Sequence, residues 1–463
     1  MRNEELSKRY GTKHISAFVK KLKNTSVILS IGIVLCTATV LTTTPQRAFS
    51  LTFGPVSNLS NDSDQSQAPV VVKSGNKVYV AWSNQDEDIF FKKSIDKGAT
   101  FGPTKNLSND PSFSADPRMA ASGNSVYVVW EGEGPSGDQD VFSVASTDSG
   151  ENFGSPINLS NNPRTSENPK IAASGSNVYV AWADESPGNF EVLFKRSTDS
   201  GASFDSTKNL SNNPPDSLSP KIKASGNNVY VIWDDESTVG VSTDVFYKRS
   251  TNNGASFGSI KNLSGNNNAG SGKIAISGKN VYVTWESVVG GSDVFFKRST
   301  DEGASFGSTK NLSNNPGQSE ISRISASGDK VYVIWSDDTG IPTGDCDRTA
   351  DNCDVFFRAS NNKGASFGGT INLSNNPEAS YGSNVLSSGK SVYVLWADAT
   401  PGNWDIFFRA SNNKGASFDD AINVSDNSGD LRGLDMSRKG NSAYVVWADN
   451  TPGNDEILFK KGH

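Results

Sequence analysis

Eight similar stretches of about 50 residues make up most of this chain, each built around the pentapeptide Val-Tyr-Val-x-Trp. The pentapeptide ends at Trp82, Trp130, Trp182, Trp233, Trp285, Trp335 and Trp396, and as Ala-Tyr-Val-Val-Trp at Trp447. A fixed period of this size points to a solenoid, an array or a propeller. Uniform repeats over residues 51–463 argue for one closed body rather than several domains.

Each repeat reads as four short strands. In the third copy Lys170–Ser174 is strand A, Val178–Trp182 strand B, Glu191–Ser197 strand C and Ser206–Ser211 strand D. Alternation places Val178, Val180 and Trp182 on one face and Tyr179 and Ala181 on the other. Both faces are apolar, as expected of a sheet sandwiched between two others. A ring of such sheets buries both faces of every one and limits exposed edges. The expected fold is therefore all-β, an eight-bladed β-propeller of four-stranded antiparallel blades. Its ends fit that count: Leu51–Ser60 reads as a lone strand D, and the last copy stops after strand C at Gly462-His463. The N-terminal strand should complete the last blade.

The hairpin between strands C and D carries the sharpest motif, Ser-x-Asp-x-Gly-x-x-Phe, as in Ser197 to Phe204. Its acid position is held by Asp96, Asp148, Asp199 and Asp301, and by Asn252, Asn362 and Asn413. A short carboxylate or amide bonds the N–H groups of its own turn, Gly supplies a positive φ and the aromatic plugs the turn. These residues resemble the Asp-box (BNR) repeat of the sialidase-like β-propeller family, over essentially the whole chain after residue 50. The resemblance implies the propeller, with the Asp box as a folding element. It also implies, for an enzyme, a Tyr/Glu pair, an aspartate and three arginines holding a substrate carboxylate.

Charge and composition limit the partners. The chain holds 43 Lys/Arg and 50 Asp/Glu; residues 1–50 contain eight and two of these, so the body carries a net charge of −13. That disfavours nucleic acid and anionic membrane as partners. Residues 1–50 read as a signal peptide or signal anchor: a basic leader, the apolar run Val27–Leu41 and the small-x-small site Ala48-Phe49-Ser50. The body is then extracellular or cell-surface, monomeric, and touches a membrane only through an uncleaved leader. Beyond residue 50 the only histidine is His463 and the only cysteines are Cys346 and Cys353. This excludes Ser-His-Asp and Cys-His catalysis and a His- or Cys-based zinc site. Cys346 and Cys353 are expected to form a disulfide in an exported chain.

Three repeated features could carry chemistry. Strand C opens with an acid in all eight copies, from Asp88 to Glu456. These acids could form a Ca²⁺-binding crown, or simply turn residues bonding backbone N–H groups. Every strand D ends in Asn-x-Ser, a potential glycosylation sequon, or a repeated turn. A base stands twelve residues before the Trp in five successive copies: Arg118, Lys170, Lys221, Lys273 and Arg323. Near the axis these could bind an anion, but acids near the end of each strand B favour cross-strand ion pairs, as with Lys170 and Asp184.

Departures from the repeat single out one rim. The sixth copy has the long loop Gly340–Cys353 with Arg348. The seventh has Tyr381 before strand A, the off-register Trp404 (counterpart Phe190 in the third copy) and an acid, Asp398, left without a matching base. Tyr381 with Asp398 is the nearest approach to a catalytic pair; Trp404, Tyr381, Phe190, Arg348, Arg118 and Arg323 are the candidate ligand contacts. The expectation is an exported, non-catalytic propeller binding a glycan or protein on its loop-rich face, without a cofactor unless Ca²⁺. The alternative is a sialidase-like exo-glycosidase.

Overall fold

The computed structural model describes residues 51–463 apart from 62–63, 86–87, 110–111, 239–241, 266–267, 288–291 and 339–352. The leader, Cys346 and Arg348 lie outside the described residues. The rest form eight four-stranded antiparallel sheets with no helix among them. Blade 3 is typical, with strand A at Ser166–Ser174, B at Asn177–Asp184, C at Glu191–Ser197 and D at Lys208–Asn209. Strand A starts four residues earlier than the sequence suggests, and strand D is shorter.

The β-branched and aromatic residues of strand B form the core, with each of the eight repeat tryptophans no more than 1% exposed. Val178, Val180 and Trp182 of blade 3 meet Tyr127 and Val129 of blade 2. On the opposite face Tyr179 and Ala181 meet Val229, Val231 and Trp233 of blade 4. The same exchange joins blade 8 to blade 1, where Tyr444, Val446 and Ala448 pack on Val71, Val78, Val80 and Trp82. The ring is therefore closed by packing. It is also closed within blade 8, whose sheet runs Leu431–Lys439, Ser442–Asp449, Glu456–Gly462 and then Ser57–Asn58.

Strand C and strand D are clasped by one constellation in all eight blades. The serine of Asn-x-Ser accepts the N–H following the strand C acid and donates to that acid's carboxylate. Thus Ser160 Oγ accepts from Val141 N at 2.9 Å and donates to Asp140 Oδ1 at 2.5 Å. The asparagine caps the turn beyond, as Asn158 Oδ1 accepts Asn161 N at 2.8 Å, and its amide donates to Asp140 Oδ2 at 2.7 Å. Blade 8 makes the clasp between the two chain ends, with Ser60 Oγ bonded to the Glu456 carboxylate and to Ile457 N. Some of the acids also accept turn N–H groups, as Glu191 Oε1 does from Asn213 N at 2.8 Å, so they do more than the turn-residue reading required. Each is bound to its own blade's strand D. The Asn-x-Ser sequence has its structural cause in the same clasp.

The Ser-x-Asp turns fasten neighbouring blades. Asp199 Oδ1 accepts from Ser197 Oγ at 2.6 Å and from Ser203 N at 3.0 Å. Bonding first from the Ser197 and Ser203 hydroxyls holds the carboxyl down at about 2. The aromatic does not plug its own turn: Phe153 meets Phe91 of the preceding blade edge-on at 4.9 Å. Phe53 supplies the same contact to Phe408 at 5.1 Å, so the N-terminal segment serves as an eighth copy. The turn glycine makes room for the strand C aromatic of the preceding blade. At Gly364, φ is +73° and an added Cβ would stand 2.6 Å from Phe296 Cζ. Gly364→Ala combines left-handed strain with overpacking, so we expect a loss of about 2–4 kcal/mol. Urea unfolding followed by tryptophan fluorescence measures it.

Candidate functional site

Strand A lines the axis, and a bulge in it decides what faces inward. Pairing with strand B slips between Glu167 and Lys170 in blade 3, and at the matching place in blades 2, 4, 5 and 6. The bulged residue takes a left-handed conformation, with φ of 54° at Asn168, 54° at Ser219, 57° at Ser271 and 54° at Ile321. The slip sets Lys170 opposite Ala181 and Lys221 opposite Ile232. Both bases then line an axial cavity of about 590 Å³.

One wall of this cavity is cationic. It carries Arg118, Lys170, Lys221, Lys273 and Arg323 from blades 2 to 6, with Lys223 one pleat further along. The other wall, from blades 7, 8 and 1, carries Asn384, Leu434, Asp435, Ala68, Pro69 and Val70. Asp116 also lines the space.

The expected cross-strand ion pairs do not form. Among the described residues none of the five bases joins a salt bridge; they donate instead to carbonyls of their own bulges. Lys221 Nζ reaches Ser219 O at 3.0 Å, Lys273 Nζ reaches Ser271 O at 2.7 Å, and Arg118 Nη1 reaches Pro117 O at 2.9 Å. Arg323 holds Ser322 O at 3.0 Å and, across the blade boundary, Ser383 O at 3.1 Å. The strand B acids are engaged elsewhere because the bulge carries the bases out of register. Asp184 accepts from Trp182 Nε1 at 2.8 Å, Ser166 Oγ at 2.9 Å and Asn162 Nδ2 at 3.0 Å. Glu131 accepts Asn168 N of the next blade at 2.6 Å, and Glu286 accepts Ser322 N at 2.8 Å.

Crowded cations in a low-dielectric space resist protonation. Burial, then the charges of Arg118 and Lys221, push Lys170 down to about 7. Burial and Arg323 bring Lys273 to about 8. Burial also lowers Lys221 and Lys223. On the opposite wall burial raises Asp435 to about 6, against bonds from Val71 N at 2.9 Å and Met436 N at 2.8 Å and the pull of Arg118 and Lys223. Lys223 and Asp435 come from blades 4 and 8, which lie across the ring from each other.

The sequence-derived rim candidates fall into two groups. Arg118 and Arg323 line the cavity; Tyr381, Trp404 and Phe190 do not. Tyr381 and Trp404 stack on each other at 5.0 Å, with Tyr381 only 6% exposed. Tyr381 lies inside strand A of blade 7, Ser380–Ser388, and clusters with Cys353, which is disulfide-bonded, and Ala379. Phe190 is a half-buried loop residue whose N–H donates to Asp216 Oδ1 at 2.9 Å. Asp398 is not an unpaired acid. It accepts from Trp396 Nε1 at 2.9 Å, Ser380 Oγ at 2.8 Å, Asn376 Nδ2 at 2.7 Å and Thr400 N at 2.9 Å. Sequence reasoning missed Lys223 and Asp435. Lys223 was signalled by its place two residues after Lys221, on the same face of a strand.

Among the described residues no group of three or more His, Cys, Asp or Glu is placed to hold a metal ion. No protein-family model and no curated protein matches the chain. Solved structures do match. A polysaccharide lyase, an ulvan lyase bound to a GlcA(1-4)Rha3S chain, aligns with a TM-score of 0.50 at 11% identity, covering 86% of this chain and 93% of its own. A mutant Trypanosoma rangeli sialidase with trans-sialidase activity aligns at 0.42 and 10% identity, over 89% of this chain and 60% of its own. A leech intramolecular trans-sialidase aligns at 0.40 and 10%, over 84% and 82%. At such identities the likeness is one of fold: this chain is similar to propeller enzymes in architecture, and its chemistry has to be read from its own residues.

Proposed function

We propose that this is an exported, Asp-box-type propeller that binds an acidic glycan through anionic groups seated in the axial cavity. The observation that carries this reading is the convergence of five bases from five consecutive blades on one space, each held by backbone carbonyls and none by a carboxylate. A buried cluster of like charges raises the free energy of the empty site, and an incoming anion relieves it. The cavity volume is within the usual range for small-ligand sites. The body's net charge of −13 makes this cationic lumen a local reversal of sign, which suits selection of a ligand end rather than coating by polyanions. The exo-glycosidase reading loses its constellation, because Tyr381 is packed under Trp404 and Asp398 is saturated by four donors.

Titration calorimetry of residues 51–463 with uronate-containing, sulfated and neutral oligosaccharides tests this. Acidic chains should bind, neutral ones should not, and added salt should weaken the complex. The double variant Arg118→Ala/Arg323→Ala should lose at least about tenfold in affinity, as expected for removing buried charged contacts. Equal binding of neutral chains would exclude the cavity as the recognition site. Turnover of a fluorogenic sialoside that Tyr381→Phe abolishes would establish the enzyme instead.

A further inference from the structure

The cavity has two unlike walls, and the contrast specifies its ligand more narrowly than charge alone. Cationic heads arrive from blades 2 to 6, more than half of the ring. The remaining arc presents Ala68, Pro69, Val70, Leu434 and the amide of Asn384, with one acid, Asp435, and no base. A carboxylate is planar, and its two oxygens are satisfied by one guanidinium fork and a few further donors. It cannot offer lone pairs to donors spread over so wide an arc. A tetrahedral oxyanion ester offers three terminal oxygens pointing in different directions, while its fourth bond leads away to an organic group. The three oxygens match the cationic arc, and the uncharged organic group then faces the wall without bases, away from which the Asp435 carboxyl turns the anionic end.

We propose that the axial cavity takes a tetrahedral oxyanion ester, a sulfate or phosphate carried on a sugar, with its oxygens on Arg118, Lys170, Lys221, Lys273 and Arg323 and its sugar ring against Pro69, Val70 and Leu434. This rests on the acidic-glycan reading and deepens it. Binding is coupled to proton uptake at Lys170. The groups facing that amine are the cations Arg118 and Lys221 and the acids Glu131 and Asp116. With Lys170 held down at about 7 in the empty site, most of its ammonium is lost at pH 8. An anion among the three cations favours the charged form and draws a proton from solvent. Affinity therefore falls as pH rises from 7 to 9.

The experiment is calorimetry of residues 51–463 with glucose 6-sulfate, glucose 6-phosphate, glucuronate and glucose, at pH 8, in buffers of different ionisation enthalpy. Both esters should bind at least about tenfold tighter than glucuronate, a difference of about 1.4 kcal/mol. Sulfate stays a monoanion throughout, so its proton uptake of roughly one per site reports on the protein. Lys170→Arg, whose guanidinium does not titrate, should remove the larger part of that uptake and flatten the pH dependence. Preference for the sulfate or the phosphate arm identifies the source of the oxyanion.

Glucuronate binding as tightly as the esters would overturn the proposal, as would uptake unchanged in Lys170→Arg. If acidic oligosaccharides bind and neither ester does, the oxyanion inference fails while the acidic-glycan reading stands. If no acidic ligand of any kind binds, both fail.

Discussion

Removal of residues 51–60 should abolish cooperative folding of the remainder. Those ten residues bury Leu51 and Leu59 to 2% exposure, place Phe53 on Phe408 and form the Ser60–Glu456 clasp. Each buried leucine contributes about 1.5–3 kcal/mol. With the aromatic contact and the clasp, the loss is comparable to the ~5–15 kcal/mol that holds a typical domain together. The deletion also exposes the edge of Glu456–Gly462, an open template for aggregation. Circular dichroism melting of residues 61–463 against 51–463 decides the point, and an unchanged midpoint would contradict closure by this strand. A permutant separates loss of the strand from loss of sequence. His463 and Leu51 are joined by a short linker, and the chain is reopened in the blade 4 connection between Thr238 and Ser242, away from every Ser-x-Asp turn. It retains every fastening and should melt close to the parent. Joining is feasible because Thr52 N and His463 O already lie 3.1 Å apart.

The second large effect concerns Asp398. Its replacement by Ala strands the donors of Trp396, Ser380 and Asn376 in a site only 1% exposed. Orphaned buried donors cost about 1–3 kcal/mol each when they find no other partner. With partial rescue by water the expected loss is about 3–5 kcal/mol. Asp398→Asn should cost less, since one acceptor oxygen remains. Denaturant unfolding of both variants, set beside their ligand affinity, distinguishes this from a catalytic or binding role. A stable Asp398→Ala protein with lost affinity would reverse the assignment.

The architecture was legible because its causes are local and repeated. Val178, Val180 and Trp182 alternate with Tyr179 and Ala181, and that alternation alone calls for a neighbour on each face. The clasp was half legible. From Asp88 and Ser108 to Asp405 and Ser425, acid and serine stand 20 residues apart in seven copies. That constancy ties them together, whereas each considered alone suggested calcium or glycosylation. The cation ring was misread for a specific reason. Opposing charges at the right separation look like cross-strand partners, but a bulge at Asn168 and its equivalents inserts a residue and turns Lys170 towards the axis. Sequences do not announce a left-handed Asn, Ser or Ile in mid-strand. The seventh-copy aromatics were noticed for being unlike their neighbours. Tyr381 turned out to differ because it packs on Trp404 and beside disulfide-bonded Cys353.

The pairing of Ser57–Asn58 with Leu458 and Phe459 joins residues about 400 positions apart. During synthesis the first strand of the body to emerge is therefore the last to be used. Seven blades have all four of their own strands before the final one is translated, yet none of their assemblies is closed. Until Glu456–Gly462 appears, residues 51–60 have no edge of their own to join. They must be kept from the unfinished edges of blades that want the same kind of strand. Completion of the ring is thus tied to the arrival of Glu456–Gly462, and a product that stops short of them cannot close.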